Sequence, residues 1–236
     1  MKNKLTKVIC VLLSLVMLFG LSSITTSAAA EESAVSSTIP DGPNANGCFY
    51  LNGEKQHAYK LIAFDGAVLK DNVITEHGRN KLLRTYGIKT EMDLRNKSVS
   101  KGDMLGEGVA HKYYNAPQYE QIFTVGGKAK MKEIFTDLAD PGNYPIYLHC
   151  SYGVDRTGTT CYLLEAVLGL DETQLQSEFA LSGWKYSYKQ EYADKIKNGL
   201  NDYEGDTIRQ RAVSYLLSCG ITQQQIDTLR DIYLED

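Results

Sequence analysis

Cys150 and Arg156 stand six positions apart in the run His149-Cys150-Ser-Tyr-Gly-Val-Asp-Arg156-Thr157-Gly158. That spacing joins a nucleophile to a clamp for anions. The apolar residues Ile146, Tyr147 and Leu148 lead in, a glycine-containing loop follows, and an amphipathic run begins at Thr157. The pattern predicts a strand, a tight loop and a helix start. Such a loop aims several backbone N–H groups at one point, and the positive end of the following helix adds to the field there. A cysteine in a field of this kind is held ready as a nucleophile. The planar guanidinium of Arg156 can grip two oxygens of a phosphate. Ser151, Tyr152, Gly153, Val154, Asp155 and Arg156 are therefore expected to line a phosphate site, with Cys150 as the attacking group. The chemistry would be nucleophilic attack at phosphorus.

Elements before the loop must deliver it, and they alternate. A hairpin or two short strands is expected over Cys48-Phe-Tyr-Leu51 and residues 58–64, around an Asn52-Gly53 turn. Thr75 caps a helix to about Tyr86, with Gly87 as its stop. Strands follow at residues 88–94 and 109–114, then a loop at 115–120 and a helix at 128–139 with Met131, Ile134, Phe135 and Leu138 on one face. This order predicts an α/β fold, a mostly parallel central sheet flanked on both faces by helices. Cys150 would sit at the carboxyl end of a strand, where such sheets bind ligands. Beyond the loop the chain reads as helical: 157–170, another from Asp171, then 208–217 and 222–234. Residues 184–206 are rich in Tyr and Lys without strong periodicity.

The 236 residues divide into three expected parts. Lys2, Lys4 and Lys7 precede an almost wholly apolar run over residues 8–21, and Ser27-Ala-Ala-Ala30 offers small residues for cleavage. Residues 1–30 are thus expected to be a signal peptide, since the apolar run is short for a spanning helix. Residues 31–47 read as a flexible leader, and 48–236 as one domain. Removing the three lysines takes the formal net charge from −4 to −7, which argues against nucleic acid or an anionic membrane as partner. Export with no stable membrane insertion is the expectation. With Cys150 as nucleophile, Cys48, Cys161 and Cys219 remain after cleavage, an odd number that does not suggest a disulfide framework. Cys161 and Cys219 lie in helical patterns as small core residues, and a bridge from Cys48 stays open.

From His149 to Gly158 the sequence resembles the protein tyrosine phosphatase superfamily, whose signature is His-Cys, five residues, Arg. The Asp93-Leu-Arg95 strand end, Ser177-Glu-Phe-Ala-Leu-Ser182 and Tyr215-Leu-Leu-Ser-Cys-Gly-Ile-Thr222 resemble its secreted bacterial, dual-specificity-like branch, which contains tyrosine and phosphoinositide phosphatases. The resemblance implies a phosphocysteine intermediate on Cys150, with backbone N–H groups and Arg156 holding the equatorial oxygens. It implies that Thr157 donates to the sulfur as it leaves and that His149 supports the loop and the thiolate. No metal or other cofactor is implied, and His57, His77 and His111 lack ligand spacing.

The family usually carries its proton donor as an aspartate on a separate loop. The corresponding residues 115–120 hold no aspartate, and Glu120 is their one carboxylate. Some members have an aspartate just before the signature arginine, as Asp155 is here, which makes it the first candidate. Asp93 is the second, its plainer role being a strand-end residue bonded to local backbone or Arg95. Glu120 is the third. Phosphoinositide-directed members tend to have lysines within the loop, and Ser151, Tyr152 and Val154 stand there instead. That favours phosphotyrosine in a protein over an inositol phosphate or another phosphorylated small molecule, although Lys185, Lys189, Lys195 and Lys197 could line a polyanion site. A phosphate-binding module without turnover is the alternative of another class.

Overall fold

The structure is a computed structural model and describes residues 48–51, 58–61, 76–100, 105–151, 153–180 and 190–234. The expectations for residues 1–47, for the Asn52-Gly53 turn, and for Tyr152, Lys185 and Lys189 lie outside the described residues. Among the described residues, five strands form one sheet: β1 (Cys48–Leu51), β2 (Ala58–Leu61), β3 (Thr90–Asp93), β4 (Ala110–Tyr113) and β5 (Ile146–His149), in the order β2-β1-β5-β3-β4. Strands β5, β3 and β4 are parallel, as the alternation of elements predicts. The hairpin expected at residues 48–64 adds to β5 through β1 and is antiparallel, so the sheet is mixed.

Among the described residues, seven helices accompany these strands: α1 (Glu76–Arg84), α2 (Val125–Leu138), α3 (Arg156–Leu168), α4 (Glu172–Ala180), α5 (Gln190–Leu200), α6 (Ile208–Cys219) and α7 (Gln223–Tyr233). Among the described residues, no helix is long and apolar enough to cross a membrane. Strand alternation assigns the two sheet faces. Met92, Ile146 and Leu148 enter the large core with Phe135, Leu163, Leu216 and Leu229. Tyr147 turns the other way, onto Leu82 of α1, Ile88 and Leu105. Helices therefore cover both faces, and Glu91, Asp93 and His149 share the face of Tyr147. α3 runs through the middle, touching β5, α4, α6 and α7. It is buried at every residue but Arg156 and Glu165, which its small residues Gly158, Thr159, Thr160 and Cys161 permit. Cys161 and Cys219 are buried free thiols, as their helical positions predict.

Two buried tyrosines combine packing with a satisfied polar tip. The Tyr215 hydroxyl donates to the Ile122 carbonyl at 2.9 Å, and the Tyr144 hydroxyl reaches the Leu138 carbonyl at 2.7 Å. Two elements differ from expectation. α5 lies within residues 184–206, and its buried Ala193, Ile196 and Leu200 recur at helical spacing among the tyrosines and lysines that hide the pattern. The loop at residues 115–120 runs into a 3₁₀ turn, Tyr119–Phe123, and α2 then starts at Val125, earlier than expected. Thr124 caps α2 by accepting from the Gly127 N–H at 3.0 Å.

Close approach of α2 to that 3₁₀ turn requires a glycine. A Cβ on Gly127 would lie 2.1 Å from the Gln121 carbonyl oxygen, whereas one on Gly126 would meet nothing within 4 Å. Backbone cannot move aside as a side-chain tip can. Gly127→Ala should destabilise by about 1–3 kcal/mol as overpacking does, while Gly126→Ala should stabilise by about 0.5–1 kcal/mol. Urea unfolding midpoints of the two variants should fall on opposite sides of the parent.

Candidate functional site

β5 ends at His149, and Cys150 is the next residue, at the strand's carboxyl end. The turn that follows depends on Gly153, whose φ of +69° is open to glycine. This turn aims the Gly153 N–H at the Cys150 Sγ, 3.1 Å away. α3 begins at Arg156 with Asp155 at its cap position, and the Asp155 side chain makes no capping bond. First-turn N–H groups of a helix left in this way are a site for anions. The Thr159 and Thr160 hydroxyls tie the turn instead from the other side, donating to the Asp155 carbonyl at 2.7 Å and the Arg156 carbonyl at 2.9 Å.

Arg156 is half-buried, and its guanidinium has no acidic partner among the described residues. It borders a cleft of about 550 Å³ whose walls include Asn115, Ala116, Pro117, Gln118, Gln121 and Lys130. Cys150 itself is 2% exposed. Thr157 is fully buried, and its Oγ1 has no hydrogen-bond partner among the described residues. An orphaned buried hydroxyl costs stability, so a free donor is kept directly after the arginine. Ser151 is half-buried and Val154 buried in the same turn.

His149 is fully buried and does not face the cleft. Its ring stacks on Tyr147 with centroids 4.8 Å apart. Nε2 lies 2.9 Å from Glu91 Oε1, and Nδ1 lies 3.3 Å from the Cys150 carbonyl. Glu91 also accepts from the Leu105 N–H at 3.3 Å. Sequence reasoning passed over Glu91, yet a carboxylate in a strand buried on both faces must have a partner, and that was the available signal.

Asp93 is fully buried in the same layer. Arg95 grips it with two bonds, Nε to Oδ1 at 2.8 Å and Nη2 to Oδ2 at 2.7 Å. The Arg95 N–H and the Ser100 hydroxyl add bonds at 2.9 and 2.7 Å. Burial alone would raise the Asp93 carboxyl, but the charges of His149 and Arg95 outweigh it and hold the group well below the usual carboxylate range. A carboxylate so committed cannot serve as the proton donor, and the geometry corrects that candidacy in favour of its plainer role. Glu91, Asp93 and His149 also bring ligand atoms within 4.8 Å of one another. The Arg95 guanidinium already supplies the cation there, so these residues fit an ion-paired network better than a metal site.

The remaining carboxylates separate clearly. Glu120 is 57% exposed and lies 3.2 Å from the Lys195 ammonium. A bond to its own backbone N–H, and then Lys195, hold its carboxyl below the ordinary range, which suits a surface ion pair and not a proton donor. Asp155 is half-buried and accepts a hydrogen bond at Oδ1 from the Tyr119 hydroxyl. Of the lysines considered for a polyanion site, Lys195 is taken by Glu120, and Lys197 pairs with Glu172 at 2.7 Å.

A model of the tyrosine phosphatase family matches residues 70–235. Among solved structures, the chain is similar to the core catalytic domain of the PP-IP phosphatase SIW14 from S. cerevisiae, determined in complex with citrate. The two are 16% identical, the match covers 59% of this chain and 82% of that one, and the TM-score is 0.42. No curated protein sequence matches the chain.

Proposed function

From the premise that this chain belongs to the tyrosine phosphatase family, and so hydrolyses phosphate monoesters, we propose that it does so through a phosphocysteine on Cys150. The observation that carries the reading is the pairing of Gly153 N–H on Cys150 Sγ with an Arg156 guanidinium left without an acid at the same turn. The Cys150 thiolate attacks phosphorus, and the bond to the leaving oxygen breaks as the S–P bond forms. Backbone N–H groups of the turn and the Arg156 fork hold the equatorial oxygens. Asp155 gives its proton to the leaving oxygen, the Thr157 hydroxyl supports the sulfur as it is released, and His149 braces the turn through the Cys150 carbonyl. Water, with its proton passing to Asp155, then cleaves the S–P bond.

The substrate reading follows from the cleft. Ala116 and Pro117 give it an apolar wall suited to the ring of a phosphotyrosine in a protein, and no lysine lies within the signature turn. A second reading, an inositol phosphate, is favoured by Asn115, Gln118, Gln121 and Lys130, which can bond hydroxyls and a further phosphate. Given the export segment read at residues 1–30, either substrate would be met outside the cytoplasm. A panel of phosphotyrosine peptides and inositol phosphates separates the two, because the true class should lead in kcat/KM.

The proton donor has its own test. Asp155→Asn should lower kcat/KM for an alkyl phosphate by about 100-fold or more, the usual scale of acid catalysis. It should change kcat/KM for p-nitrophenyl phosphate little, because kcat/KM ends at departure of the leaving group and nitrophenolate leaves without help. Equal losses on both substrates would remove Asp155 from the role.

A further inference from the structure

We propose that Tyr119 is a positioning residue for proton transfer, holding the Asp155 carboxyl from the loop that faces the signature turn; this rests on the reading of Asp155 as proton donor. The family's separate loop lacks an aspartate here, but Tyr119, at its end, reaches into the turn and donates its hydroxyl to Asp155 Oδ1. No hydrogen bond falls on Oδ2 among the described residues, which leaves that oxygen to carry the proton for the leaving group.

Several features fix the tyrosine. It is 6% exposed, and its ring stacks on Tyr192 of α5 at 4.7 Å with 12° between planes. Its φ of +51° is left-handed, rare for a residue with a side chain. That backbone is secured by its N–H, which donates to Thr159 Oγ1 at 3.0 Å. The same Thr159 hydroxyl donates to the Asp155 carbonyl at 2.7 Å. Asp155 is thus gripped at both its carbonyl and its carboxyl through one tyrosine. Burial, and then the hydrogen bond to Asp155 and its charge, push the Tyr119 hydroxyl well above its ordinary range, so it remains a donor.

A donor bond to a carboxylate is stronger than one to a carboxylic acid. The Tyr119 bond therefore tightens as the Asp155 Oδ2 proton moves to the leaving oxygen, and it stabilises the transition state more than the ground state. Tyr119 keeps its own proton throughout. After departure the same bond holds the carboxylate in place to accept a proton from water.

The test is Tyr119→Phe, which keeps the ring, measured beside Asp155→Asn and the double variant on p-nitrophenyl phosphate, phenyl phosphate and an alkyl phosphate. Tyr119→Phe should lower alkyl phosphate kcat/KM by about 10-fold, a fraction of the acid's own contribution, with p-nitrophenyl phosphate kcat/KM within about twofold, since kcat/KM ends at departure of the leaving group. The double variant should be no slower than Asp155→Asn alone, since the tyrosine acts only through the aspartate. Equal losses on all three substrates, no loss on any, or losses that multiply in the double variant would overturn the inference. If Asp155→Asn itself fails to discriminate between leaving groups, the proton-donor reading falls first. If it discriminates and Tyr119→Phe does not, the inference about Tyr119 alone is wrong.

Discussion

Cys150→Ser should remove turnover of phosphate monoesters, by about 10⁴-fold or more as loss of a nucleophile does, while phosphate still binds. A serine hydroxyl needs a base to become a nucleophile, and Asp155, which carries the proton for the leaving oxygen in that step, cannot be the base. The nearest imidazole, His149, is fully buried, with Nε2 on Glu91 and Nδ1 on the Cys150 carbonyl. In the proposed mechanism the phosphate oxygens are held by backbone N–H groups and Arg156, which the substitution leaves in place. Inorganic phosphate affinity by calorimetry should stay within about threefold, a difference below 1 kcal/mol. Equal p-nitrophenyl phosphate hydrolysis by parent and variant would contradict the mechanism. A parent protein that binds phosphate but never turns over substrate would make the chain a binding module.

The second large effect concerns stability. Arg95→Leu should destabilise the protein by about 3–5 kcal/mol, because it leaves a buried carboxylate without its partner. Arg95 and Asp93 are both fully buried, and the guanidinium contacts both carboxylate oxygens. For a chain of this size that corresponds to a melting temperature lower by about 10 °C. Adding Asp93→Leu should restore part of the loss, since the uncompensated charge goes with it. The pH dependence has a fixed sign. Asp93 is held below the ordinary carboxylate range when folded, so its contribution is complete above the unfolded value, about 4. It is lost as pH falls from there towards the folded value, because the unfolded chain takes up the proton first. Between pH 7 and about pH 3 the gap between parent and Arg95→Leu should therefore narrow. A gap that stays constant would show that the ion pair is not the cause.

Much of the candidate site's local structure was readable in the chain because it is contiguous. His149 to Gly158 is one strand end, one turn and one helix start, and each has a sequence mark: the apolar run, Gly153 and Thr157. What could not be read is contact across long separations. Glu91 meets His149 only because β3 and β5 pair in parallel with Asp93 opposite His149, a register that no local pattern states. Tyr119 and Asp155 are likewise joined by the packing of the 3₁₀ turn on α3 and α5. In sequence Tyr119 is one tyrosine among sixteen. Asp93 shows the limit from the other side: the Asp93-Leu-Arg95 spacing was visible, but whether the aspartate faces solvent or a guanidinium was decided by strand alternation and burial. α5 escaped because its apolar stripe is narrow, and the residues around it are tyrosines and lysines that suit either a helix or a loop.

The central claim is a covalent bond between Cys150 and phosphorus, and a rapid denaturing quench during p-nitrophenyl phosphate turnover, followed by peptide mass analysis, reads it directly. The account predicts a single phosphoryl group on the peptide carrying Cys150, absent from Cys150→Ser treated in the same way. A phosphoryl group on another residue, or equal incorporation in Cys150→Ser, would contradict it.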